Sequence, residues 1–345
     1  MNDMSNIANK LKELEGSVTW LVTGAAGFIG SHLTEYLLSN NQNVIGLDNF
    51  STGSKVNLEL IKKSVTSTQW NNFEFYKGDI CNFDLCQKVT KKCDLVLHQA
   101  ALGSVNRSIA DPIASHCSNV DGFLNMLYAS KENKVERFIY ASSSSVYGSN
   151  TNIPKIESDT GLPLSPYALT KSINEMYARM FSDVYFFNTI GLRYFNVFGE
   201  RQNPDGPYAA VIPKWINQIL NGKEVEIFGD GLTSRDFCYV QNAVYANILS
   251  ALTENKNALN QVFNISANKE TSLNELFEII SKILISKYPD LSLKSPKYSN
   301  FRAGDVRNSL ADISKSKNLL EYEAKYEINQ GLKLTVDWFD SNYSH

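Results

Sequence analysis

The sequence lacks several features that would each indicate a particular class of protein. Its five cysteines are odd in number and form no CxxC pair, so neither a disulfide framework nor a zinc site is predicted. Its four histidines have no metal-ligand spacing, so no metal is expected. Residues 1–16 lack a signal-peptide pattern, and no apolar run approaches about eighteen residues. We therefore expect a cytoplasmic protein without a membrane partner.

The sequence also lacks a large excess of charge of either sign. The formal net charge is −3, the isoelectric point is near 5.9, and no Lys/Arg-rich run is present. Such a chain generates no field that attracts nucleic acid, so a nucleic-acid partner is not expected. The 345 residues are enough for one large α/β domain and a smaller lobe.

Apolar, β-branched runs alternate with helical patterns in the first half of the chain. The predicted strands cover residues 18–22, 43–47, 73–76, 95–98, 137–141 and 189–192. This alternation predicts a doubly wound parallel sheet with helices on both faces. A Gly/Pro/Asn-rich loop at 199–207 and a helix at 209–220 indicate a second lobe. Runs at 236–240 and 261–265 are expected to complete the sheet.

A glycine-rich turn follows the first predicted strand and opens a helix. Gly24, Gly27 and Gly30 permit a tight turn, in which backbone N–H groups and the helix dipole can bind a pyrophosphate. The second strand ends in Asp48, whose carboxylate can accept hydrogen bonds from both ribose hydroxyls and would repel a 2′-phosphate. The pattern predicts NAD rather than NADP; the simpler alternative is that Asp48 forms a turn before Asn49.

Two further motifs point to chemistry at the carboxyl edge of the sheet. Tyr167 and Lys171 are four residues apart and thus share one face of a helix, where the ammonium can lower the pKa of the phenol and favour a base. The serine run 142–145 directly follows the fifth predicted strand, so its hydroxyls face the crevice. Taken singly, the first motif also fits an ordinary amphipathic helix and the second an ordinary loop.

These motifs resemble the extended short-chain dehydrogenase/reductase superfamily, and within it the UDP-sugar 4-epimerases. The resemblance extends from about Val18 to the C-terminal region. The matching stretches, in chain order, are TGAAGFIG (Thr23 to Gly30), DNFSTG (Asp48 to Gly53), GDI (Gly78 to Ile80), HQAA (His98 to Ala101), NVDG (Asn119 to Gly122), YASSSSVYG (Tyr140 to Gly148), SPYALTK (Ser165 to Lys171), LRYFNVFG (Leu192 to Gly199), SRDFCYV (Ser234 to Val240) and FRAGDVR (Phe301 to Arg307).

The resemblance implies roles for individual residues. Ser143, Tyr167 and Lys171 would be catalytic. The implied NAD-binding residues are Gly24, Gly27, Phe28, Ile29, Gly30, Asp48, Asn49, Ser51, Thr52, Gly53, Asp79, Ile80, Gln99, Ala100, Ala101, Asn119, Ser142, Tyr167, Lys171 and Tyr194. The implied UDP-sugar-binding residues are Gly103, Ser104, Ser143, Ser144, Ser145, Asn196, Gln202, Ala210, Val211, Lys214, Trp215, Phe228, Arg235, Arg302, Asp305 and Ser309.

The reaction is predicted from what stands beside the catalytic hydroxyls. Related dehydratases carry an acidic pair, and related decarboxylases a Glu, where this sequence has Ser144 and Ser145. A serine cannot supply that proton chemistry near neutral pH, so 4-epimerisation is favoured over elimination. The alternatives are a net oxidoreductase that releases NADH and a noncatalytic NAD-binding scaffold.

The preferred sugar is predicted from three small residues. Gly103, Ala210 and Ser309 stand where glucose-specific relatives resemble one another in having Lys, Asn and a bulky Tyr. Small side chains leave room for an N-acetyl group, and Ser104, Ser144 and Gln202 are candidates to hydrogen-bond it. We therefore expect UDP-GlcNAc and UDP-GalNAc; the alternatives are UDP-glucose/UDP-galactose and UDP-uronates.

The expected organisation has three parts. Residues 17–196 and 235–268 would form the NAD-binding Rossmann domain, and 197–234 and 269–345 a smaller, discontinuous α/β substrate lobe. Residues 1–16 form an N-terminal extension, and flexibility is expected only in the first dozen residues and the last few. The resemblance suggests a homodimer through helices near 110–129 and 167–181.

Overall fold

The computed structural model describes residues 2–205, 208–301 and 307–342. Its strands are mostly short and parallel. In chain order they are β1 Thr19–Thr23, β2 Asn43–Asp48, β3 Phe73–Lys77, β4 Leu95–His98, β5 Arg137–Ser143, β6 Thr189–Tyr194, β7 Val197–Phe198, β8 Glu226–Phe228, β9 Ser234–Asp236, β10 Cys238–Tyr239, β11 Gln261–Ile265, β12 Glu270–Ser272 and β13 Lys297–Ser299.

The α-helices occupy most of the intervening chain. They are α1 Asn2–Glu13, α2 Phe28–Ser39, α3 Lys55–Ser64, α4 Ser67–Trp70, α5 Phe83–Thr90, α6 Val105–Ala110, α7 Pro112–His116, α8 Gly122–Glu132, α9 Pro166–Tyr185, α10 Val211–Leu220, α11 Val240–Leu252, α12 Leu273–Lys287, α13 Ser314–Leu320 and α14 Ile328–Asn342. A π-helical turn, Cys117–Asp121, joins α7 to α8. Within the described ranges, no helix has the length and apolar character needed to cross a bilayer.

Seven parallel strands form the main sheet, in the order β11-β6-β5-β4-β1-β2-β3. The strand order reverses beside β1, because β2 and β4 flank it on opposite sides. All seven carboxyl ends therefore lie at one edge, and ligands of such sheets bind in the crevice outside that edge, at the point of reversal. The doubly wound parallel sheet predicted from the sequence is confirmed.

Alternation along the strands divides the core between the two faces of the sheet. Trp20 and Val22 belong to one buried cluster, and Leu21 between them belongs to the other. A third cluster forms away from the sheet, where α10, α12 and α14 pack around Trp215, Leu276 and Leu332. Separate apolar faces thus hold the sheet and the small lobe.

The run at 236–240 does not join the main sheet, so this expectation was wrong. β9 pairs antiparallel with β12, and β10 pairs parallel with β7. The place beside β6 is taken by β11, as expected for 261–265. The helix predicted from 209 begins at Val211, and its Pro213 lies in the first turn, where a missing N–H costs little.

Part of the N-terminal extension packs on the core, although flexibility was expected in the first dozen residues. Ile7 and Leu11 of α1 are buried in the first core cluster, with 3% and 0% of their surface exposed. The Gln42 amide donates to the Leu11 carbonyl (2.8 Å) and accepts from the Trp20 indole (3.2 Å). An apolar stripe on a polar helix explains this packing.

Candidate active site

A cleft of about 510 Å³ lies at the carboxyl edge of the main sheet. It runs across the ends of β1, β2, β4, β5 and β6. The lining residues are Gly24, Gly27, Phe28, Ile29, Gly30, Leu47, Asp48, Asn49, Ser51, Thr52, Gly78, Ile80, Gln99, Ala100, Ala101, Gly103, Ser104, Ser118, Ala141, Ser142, Ser143, Ser144, Tyr167, Lys171, Tyr194, Asn196, Val197 and Gln202. Most of the residues predicted for NAD, and all three predicted catalytic residues, thus meet in one place.

The floor of the cleft is the glycine-rich turn between β1 and α2. Gly24 has a φ of +69°, and a Cβ on Gly30 would lie 2.0 Å from the Gly24 carbonyl oxygen. Larger residues would therefore force the turn apart. No side chain caps the first turn of α2, and no acidic residue lies in it. Its N–H groups and the helix dipole are thus free to bind a phosphate anion.

Asp48 closes one end of the cleft at the tip of β2. It is 7% exposed, and its carboxylate accepts from the backbone N–H groups of Ala26 (2.9 Å) and Phe50 (2.7 Å). Burial raises its pKa, while these amide hydrogen bonds oppose that rise. The carboxylate is therefore held rigidly, with lone pairs left for a ribose hydroxyl.

A triangle of polar side chains lies under the centre of the cleft. The Tyr194 hydroxyl donates to Gln99 Oε1 (3.0 Å) and accepts from Asn247 Nδ2 (2.7 Å), while Gln99 Nε2 donates to Asn247 Oδ1 (3.0 Å). Burial raises the pKa of Tyr194 far above its ordinary range. Tyr194 is thus a neutral, fixed wall of the cleft.

Helix α9 presents Tyr167 and Lys171 to the cleft from the same face. The Ser165 hydroxyl caps the helix by accepting from the Ala168 N–H (3.1 Å), and Pro166 occupies the first turn, where its fixed φ suits a helix. Lys171 is 3% exposed, and its ammonium donates to the Ala141 carbonyl on β5 (2.8 Å). Burial lowers the pKa of Lys171 to about 8.

The pKa of Tyr167 shifts in the direction opposite to the one predicted from its spacing to Lys171. Burial raises this pKa above its ordinary value, and a hydrogen bond from Ser143 lowers it only in part. The reason is that four-residue spacing places two side chains on one face but does not set how deeply each is buried.

The serine run turns the end of β5 into the cleft. Ser143 Oγ accepts from the Ser145 N–H (3.2 Å), which holds the hydroxyl oxygen at the tip of the strand. Ser142 is 2% exposed, and its hydroxyl donates to Glu175 Oε1 (2.5 Å). The Ser142 hydroxyl proton therefore points toward Glu175 and away from the cleft. Ser145 does not line the cleft, and its buried Oγ has no hydrogen-bond partner in the described part of the chain.

Three other residues predicted for NAD lie outside the cleft lining. A Cβ on Gly53 would clash with the Ala26 backbone, so Gly53 packs behind the glycine turn. Asp79 accepts from Asn49 Nδ2 (2.7 Å) at the outer end. Asn119 is buried in the π-helical turn; it accepts from the Leu102 N–H (2.7 Å) and donates to Thr170 Oγ1 (3.2 Å). Asn119 thus ties the loop after β4 to α9.

The remaining described residues predicted to bind the UDP-sugar lie toward the small lobe and do not line this cleft. Trp215 is 3% exposed and packs edge-on against Phe277, so it belongs to the third core cluster. Arg235 Nη1 donates to the Ser234 carbonyl (2.8 Å). Val211, Lys214, Phe228 and Ser309 are partly buried and Ala210 is exposed. Arg302 and Asp305 lie outside the described residues.

Sequence reasoning missed several residues of the site. Ser118 and Val197 line the cleft, and each is the chain neighbour of a predicted residue. Glu175 contacts Ser142 from below, and Asn247 contacts Tyr194. The spacing of Glu175, four residues after Lys171 on α9, was a usable signal. Asn247 lies in α11, far along the chain, and had no local signal.

A family model described as the NAD-dependent epimerase/dehydratase family matches residues 20–266. The chain belongs to this family. NAD is accordingly its cofactor, and the cleft fits that group: the glycine turn leaves backbone N–H groups for a pyrophosphate, and Asp48 leaves carboxylate lone pairs for a ribose.

Similarity to known relatives extends over almost the whole chain. A putative UDP-glucose 4-epimerase of Methanocaldococcus jannaschii is 36% identical, covering 93% of this chain and 98% of its own. A UDP-glucuronate 4-epimerase of Thermodesulfobacterium geofontis is 34% identical, covering 94% and 96%. The solved UDP-N-acetylglucosamine 4-epimerase of Methanobrevibacter ruminantium, in complex with UDP-N-acetylmuramic acid, is 41% identical with a TM-score of 0.85, covering 94% and 98%.

Proposed function

We propose that the protein interconverts the two C4 epimers of a UDP-sugar with NAD as cofactor, and that it prefers UDP-GlcNAc and UDP-GalNAc to the corresponding hexoses. Family membership and the 4-epimerase relatives support NAD-dependent 4-epimerisation of a UDP-sugar. The relatives carry the names of three different substrates, so their names do not choose among sugars. The choice of sugar rests on Gly103 and Gln202 in the cleft and on Ser309 in a segment beside β9.

The chain supplies the proton chemistry of this reaction. In this proposal Tyr167 accepts the proton of the sugar 4-hydroxyl and returns it after the sugar has rotated to present its other face, while Ser143 hydrogen-bonds the same oxygen; both residues line the cleft. NAD, when bound, supplies the oxidation and re-reduction of the sugar carbon. The charge of Lys171, on the same face of α9, would favour ionisation of the phenol during the reaction and so oppose the rise that burial causes in the pKa of Tyr167.

Epimerisation fits the cleft better than elimination. Among the described lining residues, Asp48 is the one carboxylate, and it lies at the end of β2. Ser143 stands at the end of β5, with β4 and β1 between these two strands. Elimination needs an acid or base beside the reacting hydroxyl, and only the hydroxyls of Ser144 and Ser145 stand in sequence there. Among the described lining residues, no carboxylate stands beside the reacting hydroxyl to serve that step.

Free space beside Gly103 is the observation that carries the sugar preference. A Cβ placed on Gly103 would meet no atom within 4 Å. Gln202 lines the same cleft, and its buried Oε1 has no hydrogen-bond partner in the described ranges, while its Nε2 donates to the Val197 carbonyl (3.2 Å). An acetamide N–H is a suitable donor to that oxygen, and the gap at Gly103 accommodates the acetyl group.

The segment that contains Ser309 is hydrogen-bonded to the residues that precede and follow Arg235. The Ser234 N–H donates to the Arg307 carbonyl (3.0 Å), and the Ala311 N–H donates to Asp236 (3.3 Å). This segment therefore runs beside β9, which carries Arg235, one of the residues predicted to bind the UDP-sugar. We infer that a small residue at 309 leaves room for the sugar beside Arg235 and that a tyrosine would take that room.

The test compares kcat/KM for UDP-GlcNAc, UDP-GalNAc, UDP-glucose and UDP-galactose in wild type and Ser309→Tyr, with product formation followed by NMR. We expect the wild type to favour the N-acetyl pair and Ser309→Tyr to reverse the preference. Ser39→Tyr, at an exposed serine that ends α2, is the matched control and should leave both activities unchanged.

Three results would contradict the proposed preference. One is equal kcat/KM for both sugar pairs in the wild type. Another is retention of N-acetyl activity in Ser309→Tyr. The third is turnover of a UDP-uronate alone, which would assign the protein to that substrate class. Stoichiometric release of NADH with substrate would overturn epimerisation itself and identify a net oxidoreductase.

A further inference from the structure

A buried ion pair lies directly beneath the catalytic residues. Arg193 on β6 donates from Nη2 to Glu175 Oε2 (2.7 Å) and from Nε to Glu175 Oε1 (2.9 Å). The two side chains are 4% and 14% exposed. A bidentate pair of this kind is among the strongest hydrogen-bonded contacts, and water does not screen it here.

The ion pair is hydrogen-bonded to the end of β5, which carries Ser142 and Ser143. Glu175 Oε1 also accepts the Ser142 hydroxyl at 2.5 Å. The guanidinium of Arg193 donates to the Glu157 carbonyl (2.9 Å) and lies 4.9 Å from the centre of the Tyr147 ring. Both partners of the pair are therefore held in place, and Ser142 is the neighbour of Ser143. Movement of Glu175 would release the end of β5.

Glu175 is also the anion that acts on Lys171. The two residues are four positions apart on α9, and Glu175 raises the pKa of Lys171 against the larger lowering caused by burial. Of the other titratable groups, His98 on β4 acts on Lys171, while Tyr140 on β5, Arg193 on β6 and Lys315 on α13 act on Glu175. Among the described residues, Glu175 is the carboxylate that acts on Lys171.

The neighbouring groups keep one charge state over the range where Lys171 titrates. Burial lowers the pKa of His98 to about 3, so His98 is neutral there. Burial raises the pKa of Tyr140 well above its ordinary value, and the Glu175 carboxylate holds Arg193 protonated. A change in the titration of Lys171 can therefore be assigned to Glu175.

We propose that Glu175 is a positioning residue that sets a negative charge one helical turn from Lys171 and fixes the Ser142 hydroxyl under the catalytic serine. One carboxylate thus serves both sides of the cleft: it favours the ammonium on α9 and anchors the end of β5. The role of Lys171 rests on the proposed function, whereas the effect of Glu175 on Lys171 does not. The two are therefore tested separately.

The first measurement needs no substrate. The NAD-loaded protein is labelled with ¹³C-lysine, and the Lys171 Cε resonance, assigned with Lys171→Arg, is titrated with pH. Glu175→Gln keeps the volume of the side chain but removes its charge, so the Lys171 titration should move to lower pH by roughly one unit. Glu175→Asp keeps the charge and should restore most of the wild-type titration.

The second measurement is the pH profile of epimerase turnover. In Glu175→Gln the alkaline limb of kcat should move to lower pH together with the Lys171 titration. At its optimum, kcat should fall roughly ten- to a hundredfold because the serine loop is less well placed. KM should stay near the wild-type value, since Glu175 does not line the cleft.

Asp183→Asn is the matched control. It removes a carboxylate from another arginine pair on α9, Arg179 to Asp183 at 2.7 Å, but one that is 67% and 53% exposed. This variant should change neither the Lys171 titration nor kcat, because solvent screens such a pair. If Glu175→Gln does not fold, Glu175→Gln/Arg193→Gln removes both buried charges and is expected to show a smaller downward shift, because loss of the arginine cation opposes loss of the carboxylate.

The outcomes distinguish this proposal from the proposed function. An unchanged Lys171 titration in whichever of these variants folds would overturn the role of Glu175, whatever the enzyme turns over. A downward shift without any turnover of UDP-sugars by wild type would support the role of Glu175 and reject the epimerase assignment. Failure of Glu175→Asp to restore the titration would overturn the role of the charge.

Discussion

At the scale of single residues, Tyr167 decides whether the cleft can move a proton. Tyr167→Phe removes the proton acceptor but keeps the ring, so we expect turnover to fall by about 10²- to 10⁴-fold while NAD remains bound. Retained NAD is measured by mass spectrometry of the extracted cofactor. Tyr185→Phe, at an exposed tyrosine of the same helix, should leave both properties unchanged. Near-wild-type turnover in Tyr167→Phe would show that another group is the base.

Ser143 has a smaller effect than Tyr167, because it hydrogen-bonds the reacting oxygen and does not accept its proton. Ser143→Ala should raise the activation barrier by about 2 to 4 kcal/mol, as removal of one oxyanion donor does. The measurement is kcat with saturating UDP-sugar. A loss larger than that of Tyr167→Phe would exchange the two roles.

His98 makes the stability of the protein depend on pH. Its ring is 3% exposed, stacks on Phe138 with centroids 5.3 Å apart, and hydrogen-bonds to the Thr23 hydroxyl. Burial, with a smaller contribution from Lys171, lowers its pKa from 6.5 to about 3. A lowered pKa means that folding requires the neutral ring. Its contribution is therefore complete above pH 6.5 and is lost as the pH falls toward 3.

The test is urea unfolding of wild type and His98→Gln at pH 7.5 and 5.5. Over this interval the unfolded histidine gains its proton and the folded one does not, so the wild type should lose about 1.4 kcal/mol more than the variant. His32, buried with a pKa also lowered to about 3, remains in both proteins and cancels in the comparison. Equal losses would show that His98 titrates normally in the folded protein.

At the scale of elements, α1 packs against the first core cluster, on one face of the main sheet. Leu11 is fully buried in the first core cluster, so Leu11→Ala should lower the free energy of unfolding by about 2 to 5 kcal/mol. Urea unfolding followed by circular dichroism measures this change. Lys12→Ala, at the exposed neighbouring position, is the control. A loss as small as that of the control would show that α1 unfolds independently of the sheet.

Elements also show where local pattern is sufficient and where it is not. β4 and β11 have the predicted bounds, because each is a short run in which apolar residues predominate and which polar residues bound on both sides. The run at 236–240 has the same apolar character but pairs with β12 and β7. Its neighbours are chosen by long-range packing beside the small lobe, and no window of a few residues contains that information.

At the scale of the whole molecule, one face of α9 is apolar and exposed, and α6 and α7 pack beside it. Exposed apolar side chains on these helices are Ile109, Ile113, Leu169, Met176, Met180 and Val184. We propose that this face forms the homodimer. Met176, 60% exposed, lies near the middle of α9, so Met176→Glu should convert the dimer to a monomer.

Sedimentation velocity at micromolar concentration measures the oligomeric state. Val56→Glu, at a 62% exposed valine on α3, introduces the same charge on another face and should remain dimeric. A monomeric wild type would reject the proposal. A dimer that tolerates Met176→Glu would place the interface elsewhere on the molecule.

The sequence by itself determined the parallel sheet, the glycine turn, the placement of Asp48, and the meeting of Ser143, Tyr167 and Lys171 at one edge. Each of these follows from a short-range pattern, because strand alternation, turn chemistry and four-residue helical spacing act within a few residues. Only the tertiary structure decided the raised pKa of Tyr167, the packing of α1, and the Glu175–Arg193 pair. These depend on burial and on contacts between distant segments, and burial is a property of the folded chain as a whole.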